Sequence, residues 1–306
     1  MTSRISRNVW TALTCSFCNQ DLSITASGAQ CPGCHLHYQY TPAGALDLRL
    51  QRAKKYQLEF EVGAPLFSDD SLQVEPLQVA SKPAVNFTGM QIPSHMTREL
   101  MSYFPKARLP GSLMLDLACG SGVHRGVCER AGFEWVGADY GDTSKAPILA
   151  DAHALPFKNE AFECILSVAA IQLFRNPFVM MKEAYRVLKP GGIFLGTVAF
   201  LEPFHDEGYY HHTHLGTASS LQYGGFKVDK LAPSEEWSAL AAQASMGLFP
   251  RMPPMMSQAI VYPVQLLHKL WWKLGSVITR NPNASSNIRI RNTTGAFSFV
   301  ASKSAS

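Results

Sequence analysis

The stretch Gly111-Ser-Leu-Met-Leu-Asp-Leu-Ala-Cys-Gly-Ser-Gly122 decides the fold of this 306-residue chain. Its apolar first half is typical of a buried strand, and its Gly-x-Gly end predicts a tight turn that leads into a helix over 123–131. Glycines let a ligand approach the backbone closely, and the free N–H groups at a helix start favour polar or anionic atoms. The stretch therefore predicts a strand, turn and helix that bind a ligand.

Strands and helices alternate along the chain after this unit. Apolar strands are predicted over 133–139, 162–168 and 193–199, with a helix over 177–188 before the last of them. This alternation is typical of a doubly wound parallel sheet whose ligand lies at the carboxyl ends of the first strands. The sequence predicts an α/β, Rossmann-like fold.

Two positions near the turn indicate the kind of ligand. A dinucleotide fingerprint needs Gly or Ala three residues after its second Gly, and here that position is Arg125. Asp139 ends the next strand, nineteen residues after Gly120, from where a carboxylate binds both hydroxyls of a ribose. The pattern disfavours a pyrophosphate and predicts a ribose-bearing ligand.

Four segments, in order, resemble the class I S-adenosylmethionine-dependent methyltransferases, in the broad branch typified by quinone methyltransferases (methyltransferase type 11). These segments are Leu115–Gly122, Asp139, Asp151–Phe157 and Glu183–Gly192. The resemblance covers residues 111 to 200. It implies a seven-stranded methyltransferase sheet and S-adenosyl-L-methionine as the cofactor.

The resemblance also implies which residues bind that cofactor. The Gly-rich turn would lie beside the methionine moiety, with Asp116 near its ammonium group. Asp139 would hold the ribose hydroxyls, and Asp151 with the amide of Ala152 would contact the adenine. The full predicted set is Asp116, Ala118, Gly120, Gly122, Asp139, Asp151 and Ala152.

Two C-x2-C pairs separated by twelve residues lie near the N-terminus. This spacing is typical of a zinc ribbon, in which each pair supplies two thiolates to a tetrahedral Zn2+. A redox dithiol is the alternative, although it needs no second pair. His35 and His37 are interpreted as bystanders. The predicted zinc ligands are Cys15, Cys18, Cys31 and Cys34.

The predicted organisation is a zinc ribbon over 1–50, a linker with a lid helix over 51–110, and a methyltransferase domain over 111–306 with an insertion at about 233–290. Strict alternation over 44–50 predicts the strand that closes the ribbon. Residues 295–303 are predicted to be the last strand of the sheet, antiparallel to the strand near 226–231.

The segment after the predicted strand 193–199 holds four of the ten histidines. An imidazole there would remove a proton from an acceptor hydroxyl at neutral pH. The favoured alternative is that Thr213 caps a helix over 214–223 and that the histidines are polar lid residues. A second metal site is a third interpretation. The catalytic residue is left unassigned, with four weak candidates, His205, His211, His212 and His214.

The insertion contains apolar residues at steps of four and three, which predict an amphipathic helix. Packing of this stripe on its own domain is the commonest meaning of such a pattern. A wall for a hydrophobic acceptor and contact with a membrane surface are the alternatives. The stripe consists of Ile260, Val264, Leu267, Trp271, Leu274 and Ile278, widened by Leu266, Leu270 and Val277.

The leading functional hypothesis is a methyltransferase with a small or lipid-like acceptor. The first alternative is an rRNA or tRNA base methyltransferase that grips RNA with the ribbon, since a ribbon ahead of such a core also resembles bacterial ribosomal-RNA guanine methyltransferases. The second is a non-catalytic partner protein with this fold. The net charge of +4 is well below that of a dedicated nucleic-acid binder.

Cysteine usage and the lack of an 18-residue apolar run predict a cytoplasmic protein that makes at most peripheral membrane contact.

Overall fold

The computed structural model describes residues 5–60, 74–203, 207–279 and 286–305. Its α-helices are α1 (Arg7–Ala12), α2 (Arg98–Met101), α3 (Arg125–Arg130), α4 (Pro177–Val187), α5 (His214–Gly224), α6 (Ala239–Ala242), α7 (Pro254–Thr279) and α8 (Ser286–Thr293). Its strands are β1 (Ser23–Thr25), β2 (Gly28–Gln30), β3 (His37–Gln39), β4 (Leu46–Asp47), β5 (Leu113–Leu117), β6 (Glu134–Asp139), β7 (Ile148–Leu149), β8 (Phe162–Val168), β9 (Leu188–Ala199), β10 (Lys227–Pro233) and β11 (Ala296–Ser302).

The main sheet has the order β10-β11-β9-β8-β5-β6-β7-β4. The strands from β4 to β9 pair in parallel, whereas β11 is antiparallel to both β9 and β10. The predicted doubly wound α/β fold is therefore confirmed, and so is the antiparallel last strand. The sheet order reverses between β5 and β8, which leaves a crevice at their carboxyl ends where ligands bind in this class of fold.

The eighth strand of this sheet comes from the N-terminal module. β4 was expected to close the ribbon, but its ladder partner is β7, with Leu46 opposite Ile148. A single bridge from Leu46 to Tyr40 links it back to the small antiparallel sheet of β1, β2 and β3. Pairing with β7 places Leu46 and Leu48 beside Ile148 and Leu149, which are themselves buried. The domain boundaries predicted at residues 50 and 110 stay predictions.

Helices cover both faces of the sheet. On one face α4 and α5 contribute buried residues such as Met180 and Leu221. On the other face α2 and α3 contribute Leu100 and Val127. The central strand β8 is buried along its whole length, as its mainly apolar sequence predicts.

Helix α5 shows how local sequence sets its ends. The hydroxyl of Thr213 accepts a hydrogen bond from the N–H of Gly216 at 3.1 Å, which caps the helix. Gly225 then ends the helix with φ +109°, a conformation that favours glycine. The capped helix is the one that the sequence predicts over 214–223.

The long connections that follow β9 and β10 both leave the sheet at the same edge. Ala199, the last residue of β9, pairs with Ala296, the first residue of β11. Pro233, the last residue of β10, pairs with Phe297. The insertion 234–295 therefore departs from and returns to the carboxyl edge of the parallel strands. None of the helices within the described ranges is long and apolar enough to cross a membrane.

Candidate functional site

The Gly-rich turn follows β5 at the centre of the sheet. Ala118, Gly120 and Gly122 all have positive φ angles, of +60°, +53° and +75°. A Cβ added to Gly120 would meet no atom within 4 Å, so the space above the turn is open. Ala118 adopts a conformation that is costly for a residue with a side chain, and such strain concentrates at binding sites. The turn therefore presents bare backbone to an open crevice.

Asp139 and the turn are held together by hydrogen bonds. The carboxylate accepts the N–H of Gly120 on one oxygen and the N–H of Gly141 on the other, each at 2.8 Å. Each carboxylate oxygen has a second lone pair available to a further donor. The structure thus brings together the predicted ribose-binding carboxylate and the predicted methionine-binding turn.

Asp116 lies beneath the turn rather than on the open crevice. Its side chain is 1% exposed and accepts a hydrogen bond from the indole N–H of Trp135 at 2.9 Å. The imidazole Nδ1 of His124 lies 4.0 Å from its other oxygen. Burial raises the pKa of Asp116 to about 7, although the bond from Trp135 acts in the opposite direction.

Trp135 is a site residue that the sequence reasoning missed. Its ring lies against the glycines of the site, because a Cβ added to Gly137 would come within 2.4 Å of it and one at Gly122 within 3.5 Å. The guanidinium of Arg125 lies 5.3 Å from the centre of the indole. This contact had one signal in the sequence: Trp135 and Gly137 are two residues apart, so they lie on the same face of β6.

The predicted adenine-binding loop follows β7. Asp151 accepts two hydrogen bonds on one oxygen, from the backbone N–H of His153 at 2.9 Å and from its Nδ1 at 2.6 Å. The Nε2 of His153 accepts the N–H of Asn176 at 3.0 Å, which assigns the proton to Nδ1. Burial acts to raise the pKa of Asp151, but these bonds from His153 outweigh it and lower that pKa. Ala152 is buried beside this pair.

Two residues of α4 fix the same loop, and the sequence reasoning did not assign them a role. Glu183 accepts the N–H of Leu155 at 2.9 Å. Arg186 binds Glu183 at 2.7 Å and donates to the carbonyls of Leu155 and Phe157 at 2.8 and 2.6 Å. Their spacing of three on one helix was a signal for an ion pair.

The four candidate histidines have different surroundings. His205 lies outside the described residues. His211 is exposed, and its Nδ1 lies 2.6 Å from the carbonyl oxygen of Phe200, so Nδ1 is the protonated nitrogen. His212 is buried, and its Nε2 has no hydrogen-bond partner in the described part of the chain. Burial, with His211 beside it, lowers the pKa of His212 to about 4. His214 is the first residue of α5, and burial lowers its pKa.

This histidine segment closes over the end of β8. The carbonyl of Gln172 accepts the N–H groups of Tyr209 and Tyr210 at 2.9 and 3.2 Å. The side chain of Gln172 donates to the carbonyl of Ala169 at 2.7 Å. The segment therefore lies at the carboxyl edge of the sheet, at the ends of β8 and β9.

The four predicted metal ligands form one cluster. The Sγ atoms of Cys15 and Cys34 are 3.5 Å apart, those of Cys18 and Cys31 are 3.4 Å apart, and all four lie within 4.8 Å of one another. Four thiolates about 2.3 Å from one tetrahedral ion would lie about 3.8 Å from each other. The arrangement therefore fits a single zinc ion.

The surroundings of Cys15 stabilise its thiolate, whereas burial raises the pKa of Cys18 and of Cys34. Tyr38 is buried, and its hydroxyl lies 3.1 Å from the Sγ of Cys15. Burial acts to raise the pKa of Cys15, but the bond from Tyr38 and those from the backbone of Cys18 and Phe17 lower that pKa to about 7. The exposed rings of His35 and His37 are not part of the cluster.

The apolar stripe of the insertion forms helix α7, as predicted, but it does not pack on its own domain. All nine stripe residues are exposed, so the favoured packing interpretation is wrong. Because these side chains are exposed to solvent, they line no enclosed pocket within the described part of the chain. The side of α7 that meets the domain carries Ser257 and Val261, which are buried. The periodicity alone gave no information about which side of the helix the rest of the chain covers.

Comparisons with known proteins agree with the fold. Residues 115–196 match the model of a family described as a methyltransferase domain. This region contains the Gly-rich turn, Asp139, the loop at Asp151 and most of β9.

Three relatives have a similar region. An uncharacterized chloroplastic methyltransferase of Arabidopsis thaliana is 26% identical over 210 residues, 57% of this chain and 55% of that protein. The ubiquinone biosynthesis O-methyltransferase of Dinoroseobacter shibae is 26% identical over 45% of this chain and 60% of its own length. A probable tRNA methyltransferase 9B of Homo sapiens is 32% identical over 29% of this chain and 22% of its own length. The chain thus spans about half the length of the Arabidopsis relative.

Proposed function

We propose that this chain is an S-adenosylmethionine-dependent methyltransferase that acts on a small or lipid-like acceptor. The observation that carries the proposal is the contact between Asp139 and Gly120 at the carboxyl edge of the sheet, beneath an open crevice. Both residues lie in the region that matches the methyltransferase domain family. A turn of bare backbone beside a carboxylate suits a ligand that has both a ribose and an amino-acid moiety.

The residues around the crevice are assigned to parts of that cofactor. Asp139 would bind the ribose hydroxyls with the lone pairs that its two backbone donors leave available. Ala118, Gly120 and Gly122 would lie along the methionine moiety. Asp151 and the N–H of Ala152 would contact the adenine. Asp116 would act at the ammonium group from beneath the turn, after ionising.

When bound, the cofactor would supply a methyl group on a sulfonium, whose carbon an acceptor nucleophile attacks in line while the sulfur leaves as a neutral thioether. The chain then has to align the acceptor with that methyl group and exclude water. The segment 207–213, which Gln172 holds over the end of β8, is placed for this role. His211 is the best placed of the described histidines to accept a proton, since its Nδ1 is bound to a carbonyl and its Nε2 belongs to an exposed ring.

A small or lipid-like acceptor is favoured over RNA because basic residues near the cysteine cluster already bind groups of the protein itself. Arg49 is paired with Asp47 and Asp142 at 2.6 and 2.8 Å. Arg52 donates to a backbone carbonyl of the cysteine module at 3.2 Å, and Lys54 donates to another at 3.0 Å. Phosphate contacts dominate RNA affinity, and these cations already have partners.

We also propose that Cys15, Cys18, Cys31 and Cys34 bind one structural zinc ion. The near-tetrahedral separations of their Sγ atoms support it. The hydroxyl of Tyr38 would orient and stabilise the thiolate of Cys15. A site with four protein ligands has no open position, so the zinc would support the fold rather than take part in methyl transfer.

The test is transfer of a labelled methyl group. Purified chain and radiolabelled S-adenosylmethionine are incubated with lysate, with and without RNase, and the products are divided between organic solvent and water. The proposal expects label in a solvent-soluble, RNase-resistant product and its loss with Asp139→Ala. Label in an RNase-sensitive product would favour the RNA enzyme. Binding of the cofactor without any transfer would favour the non-catalytic protein.

A further inference from the structure

Helix α7 turns a wide apolar face away from the domain. Leu267, Trp271 and Ile278 are 66%, 72% and 70% exposed. At 3.6 residues per turn, the nine stripe positions cover about 160° of the helix. We call these nine residues the outer face, whose other members are Ile260, Val264, Leu266, Leu270, Leu274 and Val277.

The opposite side of α7 holds the helix to the domain. Ser257 contacts the hydroxyl of Ser245 at 3.2 Å, and Gln265 donates to the hydroxyl of Ser238 at 3.3 Å. Lys269 pairs with Glu235 at 3.0 Å. These anchors fix the rotation of the helix, so the outer face is presented to solvent by the fold itself. No element of the described part of the chain covers it.

The charged residues of α7 and of the sequence after it are all basic. Glu236 is the last acidic residue of the sequence, and the 70 residues after it contain seven Lys and Arg. Lys273 lies beside the outer face on the same helix and is exposed, with no ion pair to any residue that the structure describes. The only described partner of Lys269, Glu235, is shared with Arg289.

We propose that α7 docks on an anionic lipid bilayer, lying in the plane of the surface with its outer face in the boundary between headgroups and acyl chains. An amphipathic helix with aromatic and aliphatic residues on one side and lysines at the border has the chemistry that this boundary favours. Trp271 suits the interfacial position of indole rings. At about 1.5 Å per residue, the outer face from Ile260 to Ile278 would contact lipid over about 27 Å.

Charge favours a bilayer over a second copy of the chain. Two outer faces packed together would bring the lysines of both helices close to each other, without a free acidic residue of α7 or α8 to compensate them. An anionic bilayer offers negative charge along the whole helix instead.

Docking would also orient the candidate site. The insertion that contains α7 leaves and rejoins the sheet at the carboxyl edge, where Ala199, Pro233 and Ala296 lie. A docked chain would hold this edge near the bilayer, where a lipid-like acceptor is concentrated. This orientation step rests on the proposed function, whereas docking itself does not.

Vesicle sedimentation with the full chain and no cofactor tests the docking. Vesicles of phosphatidylcholine with phosphatidylglycerol are compared with vesicles of phosphatidylcholine alone, at low and high salt. We expect binding to the anionic vesicles that weakens with salt, and a loss of affinity of about tenfold or more with Leu267→Ser plus Trp271→Ser. Lys273→Glu should weaken binding to the anionic vesicles and should have no effect on binding to vesicles of phosphatidylcholine alone. Leu109→Ser is the matched control, because Leu109 is 69% exposed and lies before β5, at the opposite edge of the sheet.

Tryptophan emission gives a second readout. Anionic vesicles should shift the emission of the wild type to shorter wavelength, and Trp271→Phe should remove most of that shift. Equal binding to both vesicle types, or no binding, would overturn the proposal. A lipid-free dimer that dissociates with Leu267→Ser plus Trp271→Ser would also overturn it, in favour of a second copy of the chain.

Discussion

The indole N–H of Trp135 donates to the buried carboxylate of Asp116 across 2.9 Å. This bond joins the start of β6 to the end of β5 directly beneath the Gly-rich turn. The sequence alone places Asp116 among the residues that contact the cofactor. In the structure its nearest polar partner is a side chain of the same protein, and the pKa of the carboxyl is raised by burial.

The raised pKa of Asp116 makes stability depend on pH. The folded protein holds this proton up to about pH 7, whereas an unfolded Asp loses it near pH 3.9, so raising the pH between these values favours unfolding. Asp116→Asn keeps the shape and an acceptor for Trp135 but cannot ionise. We expect wild type to lose stability relative to this variant between about pH 4 and 7, by up to about 4 kcal/mol. Urea unfolding across this range measures the difference in unfolding free energy. Parallel pH profiles for the two proteins would contradict a raised pKa of Asp116.

His212 should give the opposite slope. Its folded pKa is about 4 because it is buried, so the unfolded chain takes up a proton near pH 6.5 that the folded chain rejects. Stability from this residue is present above pH 6.5 and is lost as the pH falls towards 4, by about 3 kcal/mol in total. His212→Gln should remove this loss. Equal profiles for His212→Gln and wild type would be inconsistent with a buried neutral ring.

The cysteine cluster predicts one zinc per chain. Elemental analysis of protein purified under reducing conditions should find it, and Cys18→Ser should lower the zinc content and the melting temperature. His37→Ala is the control and should retain one zinc, because His37 is exposed outside the cluster. Wild-type protein that is folded over residues 10–50 without stoichiometric metal would show that the cysteines serve another purpose.

Arg186 should contribute more to the free energy of unfolding than an arginine on an exposed helix surface does. It supports the loop at Asp151 through Glu183 and two backbone carbonyls, and both side chains are largely buried. Arg186→Ala is expected to cost about 2–4 kcal/mol of unfolding free energy, since it leaves Glu183 without its cation. Chemical denaturation measures this cost. Arg175→Ala, at an exposed position just before α4, should cost much less, and equal effects would argue against the role of Arg186.

The sequence predicted the parts of the fold that depend on local pattern. β8 has the predicted bounds of Phe162–Val168, and α4 ends one residue before the predicted 188. Thr213 and Gly225 fixed α5 through chemistry that acts within a few residues. The carboxyl-edge position of Asp139 followed from strand alternation, because parallel strands end at one edge.

The sequence did not predict the contacts between residues that are far apart in the chain. The pairing of β4 with β7 depends on which sheet edge is available, and the alternation of Leu46 and Leu48 fits either partner. The stripe of α7 has the same periodicity whether it is covered or exposed. The bond between Trp135 and Asp116 depends on the register of β6 against β5, in which Asp116 lies opposite Gly137.

Binding of S-adenosylmethionine to the purified chain is the most direct test of the candidate site. Titration calorimetry should find one site per chain, with no comparable binding of NAD. Asp139→Ala should weaken binding by about 1–3 kcal/mol, through lost charge-assisted hydrogen bonds to the ribose and a less constrained Gly120. Asp229→Ala, on the exposed part of β10, should bind as the wild type does. Equal affinity of Asp139→Ala and wild type, or a clear preference for NAD, would contradict the assignment of this crevice.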